Sequence, residues 1–415
     1  MLLWFLKKVV SHGHLIVIMP DGSRHEFGPF AKGPRVAIRI VGKGTDRWIA
    51  MNPDLRVGEA YMDGRLVVDE GTIRDFLEIA LVSYQVLPKA MQFLQMPRVR
   101  NMLRDMKVRN RIGVAEKNVK HHYDLSGELY DLFLDKNRQY SCAYFTKPEE
   151  DIETAQVNKL QHIAAKLRVG KDHNVLDIGC GWGGMAIFLA KTYGARVTGV
   201  TLSDEQHAYA NAWVKREGLE HLVTIKKLDY RLEPGVYDRI VSVGMFEHVG
   251  QPHFQEFFTH VKRLLKDDGV CLLHTIGRTD PPCHINDWVR QYIFPGAYLP
   301  SLSQLAPIVE NLGMYLTDFE NLRLHYAETL KAWHERFDAR RDEAKALYDE
   351  QFCRMWEFYL ASCEMGFRYQ NLVVFHLQIT KNFNVLPMTR DYMVDEERRL
   401  KAQAAGRQGF TMAAE

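Results

Sequence analysis

Four glycines fall within six residues in Asp177-Ile178-Gly179-Cys180-Gly181-Trp182-Gly183-Gly184. Glycines grouped in this way let a backbone turn sharply and approach a ligand closely. A tight turn with no ligand is a poor account of them. Gly179, Gly181 and Gly184 satisfy the G-x-G-x-x-G spacing of a dinucleotide loop. Two features weigh against a dinucleotide. Asp177 stands in the strand end just before the glycines, and the next strand ends in Thr201, where NAD would need a carboxylate for its ribose. Farther along, Glu247 and His274 each fall at or just past the carboxyl end of a predicted strand. Parallel sheets place their sites there, although a lone histidine or glutamate at a strand end is often only structural.

The elements that must hold these groups alternate. Strands are predicted at Val175–Ile178, Arg196–Val200, Val223–Ile225, Tyr237–Val243 and Gly269–His274, with helices at Met185–Tyr193, Glu205–Arg216 and Phe254–Leu265 between them. This is the pattern of an α/β, doubly wound, mainly parallel sheet. A long helical stretch is expected from Thr329 to Cys363, then a late strand Leu372–Leu377. Before the α/β part, Leu15–Met19 with the turn Pro20-Asp21-Gly22, Val36–Ile40 and Trp48–Ala50 read as strands, and Thr72–Phe93 as a helix. The division is therefore a small α+β N-terminal domain (1–96), a basic linker helix (97–120), an α/β catalytic domain (121–390) and a polar, poorly ordered tail (391–415).

The 415 residues are enough for two domains, and the formal net charge of +2 gives no general affinity for nucleic acid. Six cysteines, Cys142, Cys180, Cys271, Cys283, Cys353 and Cys363, form no CxxC pair. That suits a reduced cytoplasmic enzyme better than a disulfide framework or a zinc site. No apolar run reaches the roughly 18 residues of a membrane span. The apolar start Leu2-Leu3-Trp4-Phe5-Leu6 either packs on the N-terminal domain or dips into a bilayer surface. Arg100, Arg104, Lys107 and Arg111 recur at helical spacing in the linker. Such a run ordinarily marks a solvated helix face; its functional reading is contact with lipid phosphates.

Asp-x-Gly-x-Gly-x-Gly after a strand is the pattern of class I methyltransferases, whose Rossmann-like sheet carries S-adenosylmethionine at this loop. Several blocks make the resemblance specific. Tyr140–Phe145, Val175–Gly184, Gly199–Gln206, Val243–Gly250 and Leu272–Gly277 resemble the cyclopropane-fatty-acyl-phospholipid synthases, and the mycolic acid cyclopropane synthases share them. The N-terminal domain resembles that of the phospholipid-acting members, which implies a membrane phospholipid as substrate. The resemblance also implies a homodimer in peripheral contact with the inner face of the membrane.

For the cofactor, the resemblance assigns Tyr123, Tyr140 and Ser141, then Asp177, Gly179 and Gly181 of the glycine loop. Thr201 and Gln206 follow on the ribose side, and Asp229 and Tyr230 at adenine. The chemistry it implies is demanding. An alkene is a poor nucleophile, so its double bond must be held in line with the sulfonium methyl and away from water. Transfer leaves a carbocation, and ring closure needs a base. A strong protein base beside a sulfonium would itself be methylated. The family's answer is bound bicarbonate. The matching positions are Cys142 and Ile276, for their backbone N–H groups, Tyr326 and His274 as donors, and Glu247 as acceptor and orienter. Cys363 matches a family cysteine proposed as catalytic, but on an apolar helix it reads as packing. Phe246, Tyr292, Phe294 and Trp333 are candidate walls of an acyl channel, or ordinary core. A product with a methyl or methylene branch, and a small-molecule N-methyltransferase, are the alternatives.

Overall fold

The computed structural model describes residues 2–28, 32–86 and 126–411, with side chains to residue 403. Tyr123 and the cations Arg100, Arg104, Lys107 and Arg111 lie outside these residues. Strands β1 (His14–Ile18), β2 (Arg24–Phe27), β3 (Arg35–Ile40) and β4 (Leu66–Glu70) form a four-stranded sheet in the order β2-β1-β3-β4. The β1–β2 turn follows from its chemistry. Gly22 takes φ 84°, and Asp21 accepts from the Ser23 N–H at 2.9 Å. Helix Ile73–Gln85 opens with a capping box between Thr72 and Asp75.

Trp48–Ala50 is not a strand but part of helix Thr45–Met51. The buried residues there are Thr45 and Ile49, four apart, which is helical spacing. Trp48 lies instead beneath the Arg65 guanidinium, 3.9 Å from its ring centre. Helix Leu2–Val9 buries Leu2 and Val9 and leaves Trp4 66% exposed.

The second sheet has seven strands: β5 (Asn174–Ile178), β6 (Arg196–Thr201), β7 (Val223–Lys227), β8 (Tyr237–Val243), β9 (Leu265–Arg278), β10 (Tyr315–Asn321) and β11 (Leu372–Thr380). Their order is β10-β11-β9-β8-β5-β6-β7. β9, β8, β5, β6 and β7 pair in parallel, and β11 inserts antiparallel between β9 and β10. The order reverses at β5, so the glycine loop opens at the switch point of the sheet. The predicted helices and strands of this part are present, with ends extended by a few residues.

The expected helix Thr329–Cys363 is three helices, His325–Ala339, Arg341–Leu347 and Glu350–Tyr369. Asp349 restarts the last one, accepting from the Phe352 N–H at 2.7 Å. The segment after Arg390 is also ordered, as helix Asp391–Thr411. It is sparsely apolar, but Met393 and Leu400, seven apart, are buried. Glu396 meets the Tyr193 hydroxyl at 2.7 Å, and Glu397 meets His162 at 2.6 Å. Anchors this few did not register against a polar background.

The two parts meet through helix Ile73–Gln85, which packs on Glu350–Tyr369, and helix Pro53–Met62, which lies on Trp288 and Phe358. A side chain at Gly58 would place Cβ 2.5 Å from Trp288 Nε1 and 2.8 Å from Phe358. Gly58→Val is therefore expected to lower stability by about 1–3 kcal/mol, the usual scale for overpacking. Thermal unfolding of Gly58→Val beside a control at the exposed helical Met51, Met51→Leu, measures it; an unchanged midpoint would mean that this contact is not tight in solution.

Candidate functional site

The glycine loop leaves β5 with Gly179 at φ 79°, Gly181 at φ 53° and Gly183 at φ 90°. These are left-handed conformations in which a side chain is strained. The Gly179 and Cys180 N–H groups both donate to Val200 O at 3.0 Å. That pins the loop against β6. Beside it opens a cavity bounded by the ends of β5, β6 and β8 and by the segment Arg138–Ser141. Tyr140, Ser141, Asp177, Gly179, Gly181, Thr201, Gln206, Asp229 and Tyr230 all line it. The sequence-predicted cofactor residues within the described chain are thus brought together.

Their own contacts differ in kind. Thr201 Oγ1 donates to Gln206 Oε1 at 2.9 Å, and Thr201 also accepts from the Ser203 N–H. The Asp229 carboxylate is gripped by Arg231 at 2.6 and 2.9 Å, so its charge is already compensated. Asp177 is fully buried, and its Oδ2 has no hydrogen-bond partner among the described residues. Burial raises its pKa to about 7, against the pull of Lys159. A carboxyl orphaned in a cavity wall is suited to a cationic or N–H-bearing ligand.

Lys159 was missed in the sequence. It lies on helix Ile152–Leu167 and is fully buried. Its ammonium donates to Gln139 Oε1 at 2.6 Å and to Ser141 Oγ at 2.8 Å. Burial lowers its pKa to about 8, with Asp135, Cys142 and Asp177 opposing. Gln156 donates to Ser141 O at 2.9 Å, so the Tyr140–Cys142 segment is fixed from below. No sequence signal marks a lysine as buried. Trp182, in the glycine motif itself, and Arg138 also line the cavity; Arg138 sits 4.0 Å above the Tyr209 ring centre.

The reaction-side residues are not part of this cavity's lining. Glu247 is 5% exposed, in a short helical turn after β8. Its Oε1 accepts from the Ile276 N–H at 2.6 Å, and its Oε2 has no hydrogen-bond partner among the described residues. Burial raises its pKa to about 7, against the opposing Ile276 bond. The Ile276 N–H expected to serve an anion is thus held by Glu247 in this structure. The reason is simple: a buried carboxyl takes the nearest strong donor. His274 and Ile276, two apart on β9, share one face of the strand. Cys142 is fully buried, and burial pushes its thiol pKa up, which disfavours the thiolate a nucleophile needs. The Ala143 N–H after it donates to Thr329 Oγ1 at 3.0 Å, on the helix that carries Tyr326.

Tyr326 packs at 4.8 Å from Phe367 and edge-on to Trp333. Tyr140 stacks on Trp333 at 5.2 Å, and its hydroxyl meets that of Tyr359 at 2.8 Å. Phe294 lies 5.8 Å from Tyr359, and Cys363 borders the same cluster with its pKa pushed up to about 12 by burial. Tyr292 borders it too and donates to Glu59 of the N-terminal part at 2.9 Å. Phe246 does not belong with them. It is fully buried on the other side of the sheet against Phe254, Phe257 and Phe258. As a candidate channel wall it is corrected to core, since the turn after β8 aims it away from Glu247's surroundings.

Residues 111–377 match the family described as mycolic acid cyclopropane synthetase. The chain is similar to a probable fatty acid methyltransferase of Pseudomonas putida, 34% identical over 90% of this chain and 94% of that protein. It is 42% identical to the cyclopropane-fatty-acyl-phospholipid synthase of Escherichia coli K12, over 63% of this chain and 67% of that one. The crystal structure of the mycolic acid cyclopropane synthase CmaA1 complexed with SAH and CTAB matches with a TM-score of 0.60 at 31% identity. It covers 64% of this chain and 97% of its own.

Proposed function

The chain belongs to the mycolic acid cyclopropane synthetase family and is an S-adenosylmethionine-dependent methyltransferase, and from that premise we propose that it is a cyclopropane-fatty-acyl-phospholipid synthase. The observation that carries this reading is Glu247. Its carboxyl is buried with one oxygen unpartnered among the described residues, and its other oxygen holds the N–H of Ile276, which packs against the aromatic cluster of Tyr140, Trp333 and Tyr359. A soluble amine or hydroxyl substrate needs no such dry surroundings. Alkylation of a carbon–carbon double bond does, because water would capture the cation.

In this reading S-adenosylmethionine supplies an electrophilic methyl. The alkene π pair forms the new carbon–carbon bond, the sulfur–methyl bond breaks, and the positive charge passes to the chain. Tyr140, Trp333, Tyr359 and Tyr326 present rings and hydroxyls around that position and exclude water. A proton then leaves the added methyl and its bond pair closes the ring. Bicarbonate as the receiving base is part of the proposal. Cys142, His274, Ile276 and Tyr326 would hold it, with Glu247 turning from the Ile276 N–H to accept its hydroxyl.

The test is mass and proton-resonance analysis of phospholipid acyl chains after incubation with labelled S-adenosylmethionine. Ring protons are the expected result. A methyl or methylene branch would move the assignment to the second reading, which the coverage of the Pseudomonas putida relative favours. Stripping carbonate from the buffer should lower the rate and added bicarbonate restore it; indifference in carbonate-free buffer would exclude an exchangeable ion as base.

No helix among the described residues is long and apolar enough to cross a membrane. We propose a cytoplasmic enzyme, dimeric, that visits the membrane surface through exposed Trp4 and the cations Arg100, Arg104, Lys107 and Arg111, with 1–96 acting as a lipid-facing or dimer-supporting domain. Each cation near an anionic surface contributes roughly 1 kcal/mol. Changing the four to Gln should reduce sedimentation with anionic vesicles and spare cofactor binding. Raising salt should weaken the wild type likewise, because the Debye length falls to about 3 Å at 1 M. Equal sedimentation of both proteins would leave these cations a solvated face only.

A further inference from the structure

His274 has a second histidine behind it. His376 on β11 is its direct cross-strand partner, and His274 Nδ1 lies 2.8 Å from His376 Nε2. Both side chains are buried, at 2% and 0% exposure. Burial and nearby cations hold both rings neutral. A single hydrogen therefore sits between these two nitrogens, and which ring owns it decides what His274 offers on its other edge.

The surroundings of His376 decide the question. Its Nδ1 has no hydrogen-bond partner among the described residues. Its ring stacks on His162, with centroids 5.5 Å apart. Both nitrogens of His162 face carboxylates, Glu397 at 2.6 Å and Glu320 at 2.7 Å, so both must donate and the ring is an imidazolium. Lys166, fully buried, adds a second cation, 2.5 Å from Glu320 and 3.3 Å from Asp318. Donor atoms of His162, Glu320 and His376 lie within 4.8 Å of one another, close enough for a metal ion. That position already has its positive charge in Lys166. His162 and Lys166 both bond to Glu320 Oε2, and among the described residues neither oxygen of that carboxylate is within hydrogen-bond reach of His376 Nδ1. Facing an imidazolium and an ammonium, a bare lone pair at Nδ1 is favoured over an N–H. His376 then carries its hydrogen on Nε2 and donates it to His274 Nδ1. His274 is left with its own hydrogen on Nε2.

We propose that His376 is a positioning residue that fixes His274 as the Nε2–H tautomer, the form able to donate to a bound oxyanion. This rests on the reading that His274 faces such an anion. The sequence of control runs from Glu397 and Glu320 through His162 and His376 to His274. It makes helix Asp391–Thr411 a supporting element of the reaction site.

The tautomer can be read directly in two-bond proton–nitrogen correlation spectra of histidine-labelled protein, with His274 assigned through the signals lost in His274→Asn. The expected pattern is protonated Nε2 and bare Nδ1; a His274 protonated at Nδ1 overturns the proposal. His376→Gln, whose amide can still donate, should keep that pattern and a near-wild-type bicarbonate dependence. His376→Leu should lose the preference and raise the bicarbonate needed for half-maximal rate by about 10-fold or more, the usual scale for a group supporting a ligand from behind. Cofactor affinity by calorimetry should be unchanged in both, which shows that they fold. His376→Leu with wild-type tautomer and bicarbonate dependence also overturns the proposal. A wild type with no bicarbonate dependence would instead remove the anion reading, while the tautomer spectrum, which needs no anion, still judges His376.

Discussion

Glu247→Gln is expected to bind S-adenosylmethionine nearly normally and to turn over at least ~10²-fold more slowly, the scale of losing a positioned proton-transfer group. The amide oxygen can still accept from the Ile276 N–H, as Glu247 Oε1 does at 2.6 Å, so the local geometry is kept. The same variant should be more stable than the wild type. Burial raises the folded pKa of Glu247 to about 7, above the ordinary carboxylate value of about 4.3. The fold therefore favours the protonated form, and this residue's contribution to stability falls as pH rises from the ordinary value through about 7. Glutamine does not titrate. Above that range the variant should gain up to about 4 kcal/mol relative to wild type, because a tenfold change in proton affinity is worth about 1.4 kcal/mol. Denaturant midpoints at pH 5 and pH 8.5 check it: the gain must grow with pH. Wild-type turnover in Glu247→Gln would remove the residue from the reaction. A gain that does not change with pH would mean that the carboxyl is not buried in solution.

Gly179→Ala should have the next largest effect. Its φ of 79° is left-handed, and an added Cβ would lie 2.7 Å from Met245 Cβ and Cγ. Strain of about 1–2 kcal/mol adds to overpacking of about 1–3 kcal/mol. A loss of about 3 kcal/mol in the ligand-free protein is expected from these two effects together, and cofactor affinity should fall with the displaced loop. Gly181→Ala is the control. Among the described residues its Cβ would meet nothing within 4 Å at φ 53°, so only the left-handed penalty applies, about 1–2 kcal/mol. Denaturant unfolding of both variants without ligand separates the two effects. Equal losses would show that the Met245 contact relaxes freely.

The parts of this site legible in the sequence share one property: a residue type that is rarely used without a local reason. Glycine in series, a threonine where a dinucleotide needs acid, and a glutamate past a strand end each carry their meaning within a few positions. Lys159 and His376 do not. Each is a polar residue on a regular element, and only the packing of distant segments shows that it is buried and what it touches. Phe246 failed for the same reason in reverse, since the turn after β8 sets its direction. The two missed helix features have physical causes as well. Asp349 interrupts an otherwise helical pattern as an N-cap, and helix Asp391–Thr411 is held by a few side chains whose partners lie far back in the chain.

The position of β11 has a consequence for how the molecule is made. This strand lies inside the sheet, between β9 and β10, yet among the described strands it is the last to leave the ribosome. Until it arrives, β9 is an open edge of apolar residues, and His274 lacks its partner from β11. The nascent chain can close the glycine loop early, from β5 and β6, but cannot complete the reaction site until β11 has been made. Pairing of this range is slow and leaves edges open to wrong partners. A ribosome-stalled chain ending before residue 372 should therefore depend on chaperones for solubility, whereas release of the full chain closes the sheet and ends that dependence.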